Sequence, residues 1–230
     1  MTVVGLLHSE HEQARIFAAL LAQRDPEVQF RHLVDRGLLN AARRSGIESV
    51  RPAMADRLRR LQAEGADLVV CTGSTLSGLA KVVGDEIGVE VLRVDRPMAE
   101  AAVRAGRRLA VVATLPTAAR SVRELLHEAA GEADRRVEVV EVDASDLWIL
   151  HEVGDAEGYV QGIAQRALTE LRGADDVCTV DVVVLAQASM VEATPLLRPL
   201  SVPVLSSPRL AVEAAVELVR TLAPAAGRTR

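Results

Sequence analysis

The stretch ADLVVCTGSTLSG at residues 66–78, with its counterpart VDVVVLAQASMV at residues 180–191, decides the fold. Each stretch has an acidic residue in second place, Asp67 or Asp181, followed by apolar residues and then by small polar ones. This pattern is typical of a buried parallel strand that ends in a loop and leads into a helix. The two stretches align at an offset of 114 residues. We therefore expect two similar halves.

The rest of the chain repeats in the same order. Val3–His8 can be laid over Leu109–Thr114 at an offset of 106, and Val28–Asp35 over Arg136–Asp143 at an offset of 108. Alternating apolar segments and helical patterns predict strands over residues 3–7, 28–34, 68–71, 89–94, 109–113, 137–142, 182–185 and 202–205. Helices are expected between them, one running from Ser9 to about residue 24 and one beginning near residue 78. The segment that contains Trp148 is expected to be a loop.

These elements predict an α/β protein with two pseudo-symmetric lobes, each a parallel sheet flanked by helices. The first lobe would comprise residues 1–95 and 206–222, the second residues 96–205, and residues 223–230 would form a disordered tail. Ligands bind such sheets beyond the carboxyl ends of the strands. We therefore expect the site in a cleft between the lobes, where Gly73 would lie opposite Gln187 and Thr75 opposite Ser189.

Composition excludes several classes of partner. The 230 residues include 49% hydrophobic residues and only two Phe, one Trp and one Tyr, and the net charge is −5. Without a basic stripe or stacking aromatics, a nucleic-acid partner is not expected. No apolar run reaches the ~18 residues of a membrane span. The amino terminus does not resemble a signal peptide, and the two cysteines form no disulfide framework, which together favour the cytoplasm.

Four stretches carry a resemblance to a known family. They are residues 66–78, residues 93–118 (RVDRPMAEAAVRAGRRLAVVATLPTA), residues 180–190, and residues 202–215 (VPVLSSPRLAVEAA). The chain resembles the aspartate/glutamate/hydantoin racemase superfamily over nearly its whole length. The resemblance implies a mechanism without cofactor or metal, in which two cysteines exchange a proton at the carbon next to a carboxylate. The positions implied for these cysteines are Gly73 and Gln187, and neither side chain is an acid or base near neutral pH.

Three other side chains are candidates for the missing acid–base groups. Cys71 lies two residues before Gly73 and can share its side of the strand; the alternative is a buried, inert thiol. The overlay of the halves places His8 with Thr114 and His11 with Thr117, near the expected site. Histidine has a suitable pKa for proton transfer. The alternative for both histidines is a solvated first helical turn.

Small polar residues at the strand ends predict a binding site for a carboxylate. Hydroxyls and backbone N–H groups at helix N-termini bind anions, although such residues also serve as helix caps. The candidate substrate-binding residues are Ser9, Thr72, Gly73, Ser74, Thr75, Thr114, Pro116, Thr117, Gln187, Ala188 and Ser189.

The sequence therefore predicts a cofactor-independent enzyme that acts at the carbon next to a small carboxylate. The resemblance implies a racemase or isomerase. Two alternatives remain open: a one-base decarboxylase or lyase acting on a small dicarboxylate, and a non-catalytic carboxylate-binding protein. The expected partner is a small carboxylate ligand, and exposed helices on both lobes permit a homodimer.

Overall fold

The chain divides into two compact units, and the computed structural model describes residues 2–21, 28–173, 175 and 177–222. The first unit comprises Met1–Val94 and the chain from Pro208 onwards. Its elements are β1 (Thr2–His8), α1 (His11–Leu21), β2 (Val28–Val34), α2 (Arg36–Ser45), a 3-10 helix (Ile47–Val50), α3 (Arg51–Ala63), β3 (Leu68–Cys71), α4 (Ser74–Ile87) and β4 (Val91–Arg93). The last helix of the chain, α9 (Ser207–Leu222), also belongs here for all but its first residue.

The second unit comprises Asp95–Ser207. Its elements are α5 (Arg96–Ala105), β5 (Arg108–Ala113), α6 (Pro116–Glu132), β6 (Glu138–Asp143), a 3-10 helix (Ser145–Leu147), α7 (Trp148–Glu152), α8 (Ala156–Leu171), β7 (Val182–Leu185), a long 3-10 segment (Ala188–Leu200) and β8 (Val204–Ser206).

Each unit contains one four-stranded parallel sheet, and the two sheets have the same topology. The strand order is β2-β1-β3-β4 in the first unit and β6-β5-β7-β8 in the second. The predicted fold class, two similar α/β lobes built on parallel sheets flanked by helices, is confirmed. Within the described residues, no helix combines the length and apolar character that crossing a membrane requires.

Asp67 and Asp181, the acidic residues that precede β3 and β7, connect the start of each of these strands to the neighbouring strand by hydrogen bonds. Asp67 accepts the Val3 N–H at 2.9 Å on its carboxylate and donates its own N–H to the Val3 carbonyl at 2.8 Å. Asp181 makes the same pair of bonds with Arg108, both at 2.8 Å. Backbone N–H groups of Arg108 and Arg107 lower the pKa of Asp181. The shared acidic residue therefore marks an equivalent point in the two sheets.

The strand pairings correct the predicted overlay of the halves by one residue. Val4 pairs with Leu68, and Leu109 pairs with Val182. The offset between β3 and β7 is therefore 114, as predicted, but that between β1 and β5 is 105 rather than 106. The offset between β2 and β6 is likewise 109 rather than 108. As a consequence, Thr114 corresponds to Ser9, and His8 corresponds to the last strand residue, Ala113.

Alternate residues of each strand pack on opposite faces of the sheet, as the period of a strand requires. In the first unit, Leu7, Val69 and Cys71 belong to the core beneath α2, α3 and α4. Val4, Leu6, Leu68 and Val70 belong to the core that contains residues of α1 and α9. In the second unit, Ala110, Val112, Val183 and Leu185 pack with α8 and the 188–200 segment. Nearly all of this burial uses aliphatic side chains.

Several predicted boundaries were wrong. Helix α4 begins at Ser74 rather than near residue 78, because the Gly73 carbonyl already accepts the N–H groups of Leu76 and Ser77 at 2.9 Å. The expected loop around Trp148 is the short helix α7. Residues 188–200 form 3-10 turns that were not predicted; Pro195 and Pro199 exclude a regular α-helix there. The predicted end of the first helix at residue 24 and the predicted tail at residues 223–230 lie outside the described residues.

Candidate active site

In the second unit, polar groups gather where β5 and β7 end. The side-chain carbonyl oxygen of Gln187 accepts three hydrogen bonds: from the Thr114 N–H at 2.8 Å, the Leu115 N–H at 3.2 Å and the Thr114 hydroxyl at 3.1 Å. The Tyr159 hydroxyl lies 3.0 Å from the Thr114 hydroxyl and 3.0 Å from the Ser189 hydroxyl. We call Thr114, Tyr159, Gln187 and Ser189 the second-unit network.

The chain geometry explains why these groups meet. Strand β7 ends at Leu185, and Gln187 has extended backbone angles of φ −130° and ψ 143° just before the 188–200 segment. Its side chain therefore reaches the neighbouring end of β5. Tyr159 comes from α8, which packs on this face of the sheet, and it is almost fully buried. The ring of His151, on α7, lies 5.1 Å from the Tyr159 ring, measured between centroids.

In the first unit, a similar network joins the ends of β1 and β3 to α1. The side-chain carbonyl oxygen of Gln13 accepts the Ser9 N–H at 2.9 Å and lies 3.2 Å from the Ser9 hydroxyl and 3.1 Å from the Thr72 hydroxyl. A Cβ atom at Gly73 would lie 3.0 Å from Ser9 Oγ and 3.9 Å from Gln13 Nε2. We call Ser9, Gln13, Thr72 and Gly73 the first-unit network.

His8 contacts the first-unit network through the hydroxyl of Thr72. Its Nδ1 is 2.9 Å from the Thr72 hydroxyl, and its Nε2 is 2.9 Å from Nδ1 of His32. The two imidazoles stack with 5.1 Å between centroids, and Phe17 packs against His8. Burial, together with the neighbouring His32, lowers the pKa of His8 to about 3. His8 is therefore neutral near pH 7 and is a weak base.

The structure brings some of the predicted site residues together. Ser9, Thr72 and Gly73 lie in the first-unit network, and Thr114, Gln187 and Ser189 lie in the second. Ser74 is buried and Thr75 half-buried in the first turn of α4, next to Gly73. Ala188 is buried beside Gln187.

The remaining predicted residues are Cys71, Pro116, Thr117 and His11. Cys71 is 1% exposed and belongs to the apolar core with Leu7 and Leu76. Pro116 and Thr117 are exposed in the first turn of α6, and proline has no N–H to offer an anion. His11 is exposed at the start of α1. It was placed near the site through the overlay that the strand pairings correct, so that argument no longer supports it.

A comparison with protein-family models identifies the family. Residues 4–215 match the model of the Asp/Glu/hydantoin racemases. The chain belongs to this family. No curated protein matches the sequence.

Solved structures with the racemase fold resemble this chain at low sequence identity. A glutamate racemase from Bacillus anthracis is 18% identical, with a TM-score of 0.71, and the match covers 96% of this chain and 82% of that one. An allantoin racemase from Klebsiella pneumoniae is 21% identical, with a TM-score of 0.64 and coverages of 96% and 89%. A mutant arylmalonate decarboxylase in its sulfate-associated form is 19% identical, with a TM-score of 0.63 and coverages of 100% and 96%. These similarities show the shared two-lobe fold.

Two residues of the networks were not predicted from the sequence of this racemase-family chain. Gln13 stands four residues after Ser9, one helical turn away, and this spacing was the available signal. Tyr159 is the one tyrosine of the chain, and a buried tyrosine hydroxyl usually has a partner. Outside the networks, His32 lies in β2, and nothing in the sequence indicated its contact with His8.

Proposed function

We propose that the protein is a cofactor-independent enzyme that acts at the carbon next to the carboxylate of a small substrate. Membership of the Asp/Glu/hydantoin racemase family is the observation that carries this proposal. The reaction would pass through a carbanion, delocalised into the carboxylate as an enediolate. Racemisation, an isomerase reaction, is what the family implies.

The polar groups of each unit support binding of a carboxylate. In the second unit, Ser189 is half-buried, and its hydroxyl lies 3.0 Å from the hydroxyl of the buried Tyr159. In the first unit, Ser74 and Thr75 contribute hydroxyls and the N–H groups of the first turn of α4. A helix N-terminus attracts anions through its partial positive charge and its N–H groups.

The residue types favour a second reaction of the same kind, decarboxylation with protonation from one face. Gly73 and Gln187 cannot abstract a proton near neutral pH, whereas loss of carbon dioxide forms the carbanion without a base. The bond between the carbon and one carboxylate breaks, and its electron pair remains on the carbon as the enediolate. A proton from the Ser189 hydroxyl, resupplied through Tyr159 or by water, then completes the product.

The third candidate function is carboxylate binding without catalysis. It is favoured by the same two positions, because Gly73 offers no side chain and Gln187 offers only an amide. In this case the protein would have kept the fold and the anion-binding groups of the family while losing the proton-transfer groups.

One assay separates the three functions. The protein is incubated with single enantiomers of small 2-substituted acids and with 2-substituted malonates. Chiral chromatography measures racemisation, and released carbon dioxide measures decarboxylation. We expect carbon dioxide release with formation of one enantiomer, abolished by Ser189→Ala. Racemisation would support the family reaction instead, and binding without either reaction would support the third candidate. The proposal would be overturned if the protein neither binds nor converts any of these acids.

We also propose a cytoplasmic homodimer. Two free cysteines, Cys71 and Cys178, suit a reducing compartment. Ile149, on α7, and Val153, directly after α7, are 56% and 69% exposed, and such apolar exposure is reduced when a second copy covers it. Light scattering coupled to gel filtration would give the mass, and a monomeric mass would contradict the dimer.

A further inference from the structure

The side-chain amide of Gln187 is held in one orientation. Its oxygen accepts the N–H groups of Thr114 and Leu115. A backbone N–H can only donate, so the atom that faces these two groups must be the oxygen and not the nitrogen. The NH₂ group of Gln187 therefore points away from this cluster of donors.

This NH₂ group has no hydrogen-bond partner in the described part of the chain, although Gln187 is only 6% exposed. The nitrogen of this group is not fully enclosed by protein atoms. The nitrogen therefore borders open space. A donor that borders open space is available to a ligand oxygen at this point.

The first unit repeats this arrangement with a glutamine from a different place in the sequence. Strand pairing makes Ser9 the equivalent of Thr114, and each residue offers its N–H and its hydroxyl to a glutamine carbonyl. In the first unit that carbonyl belongs to Gln13, on α1. Its Nε2 likewise has no partner among the described residues.

The Gln13 amide lies beside Gly73. A Cβ at Gly73 would be in ordinary van der Waals contact with Gln13 Nε2, at 3.9 Å, and would meet Ser9 Oγ first, at 3.0 Å. The pairing of β3 and β7 with β1 and β5 makes Gln187 the equivalent of Gly73 in the second unit. Each unit thus presents a carboxamide anchored by equivalent donors, Ser9 and Thr114, one carboxamide supplied by α1 and one by the turn after β7.

We propose that each of these NH₂ groups determines ligand specificity within its own unit, by donating a hydrogen bond to an oxygen atom of a ligand bound at the strand ends of that unit. This inference rests on the proposed function, because it concerns the ligand of the same strand ends. An NH₂ group that donates to the ligand favours small dicarboxylates and other acids that carry a second acceptor group. An alkyl group or an ammonium group cannot accept a hydrogen bond, so simple monocarboxylates and amino acids with apolar side chains would bind less well.

Malonate and propionate form a matched pair of probes, because propionate has a methyl group where malonate has its second carboxylate. Titration calorimetry should show malonate binding at least tenfold more tightly than propionate. In ¹H–¹⁵N spectra, the side-chain NH₂ signals lost in Gln13→Glu and Gln187→Glu identify the two amides. These signals should shift in the native protein when malonate is added.

The same two variants test the affinity. A glutamate keeps an oxygen for the anchoring donors and replaces the NH₂ group by a second oxygen, so the fold is retained while the donor is lost. Malonate affinity should fall by about ten- to a hundredfold in each variant. Gln165→Glu, an exposed residue of α8, makes the same charge change away from the network and should leave affinity unchanged.

Two results would overturn the inference. Malonate that binds with native affinity to both variants, without shifting the NH₂ signals, would contradict the role of the amides while leaving the proposed function in place. Equal affinity for malonate and propionate would do the same. If no carboxylic acid binds the native protein at all, the proposed function fails together with the inference.

Discussion

At the scale of single residues, the two positions that the family fills with thiols are the most informative. The sequence showed that Gly73 and Gln187 stand there, and neither side chain is an acid or base near neutral pH. It did not show that the Gln13 amide lies beside Gly73, because Gln13 belongs to another element, α1. A side chain that reaches a site from another element leaves no fixed spacing to detect.

The buried His8 makes stability depend on pH. Its pKa of about 3 lies below that of an unfolded histidine, so the unfolded chain binds a proton first as the pH falls below about 6.5. Burial also lowers the pKa of His32, which acts in the same direction. The free energy of unfolding should therefore fall by about 2 kcal/mol for His8 alone between pH 7 and pH 5. Urea unfolding across this range measures it.

The control for this prediction is His127→Asn, because His127 is exposed on α6. That variant should keep the native pH dependence, whereas His8→Asn should flatten it. A native free energy of unfolding that stays constant between pH 7 and pH 5 would show that His8 and His32 take up protons in the folded state.

At the scale of elements, β2, β3 and β7 were predicted to the residue, and the other strands were displaced by a few residues at most. Apolar runs between turn residues give this information directly. The pairing between strands was less accessible, since a one-residue slip of β1 against β5 leaves the apolar letters almost equally well aligned. The carboxylates of Asp67 and Asp181 accept backbone N–H groups at the start of the neighbouring strands and so fix the register. These contacts are visible only from the hydrogen bonds.

The packing of α4 on β4 depends on Gly84. A Cβ there would lie 2.4 Å from a Val91 methyl carbon and 2.7 Å from the Val89 carbonyl oxygen. Gly84→Ala should therefore lower the free energy of unfolding by about 1–3 kcal/mol, the usual cost of overpacking. Thermal or urea unfolding measures the loss.

Gly131→Ala is the matched control within a helix. A Cβ at Gly131 meets no atom within 4 Å, so alanine should stabilise α6 by about 0.4–1 kcal/mol. If both alanine variants were equally stable, the close approach of α4 to β4 would be wrong.

At the scale of the whole molecule, the two-lobe α/β architecture followed from repetition within the sequence, and the family followed from the resemblance carried by four stretches. The identity of the ligand did not follow, because recognition depends on which donors remain unpaired after each network has formed. Tyr159, Gln13 and Gln187 show this: each is an ordinary polar residue in the sequence, and each acquires its role from the atoms around it.

The two positions at which the resemblance implies proton-transferring thiols carry no acid or base, because they hold Gly73 and Gln187. The most direct measurement is ¹H NMR of each enantiomer of aspartate and glutamate in heavy water with the protein. General acid–base catalysis contributes about 10²–10⁴-fold to such a reaction, and Gly73 and Gln187 cannot supply it. We predict that the α-hydrogen signals persist at the rate of the solution without protein. Rapid loss of these signals with appearance of the opposite enantiomer, abolished by Cys71→Ser, would contradict the account and identify Cys71 as the base.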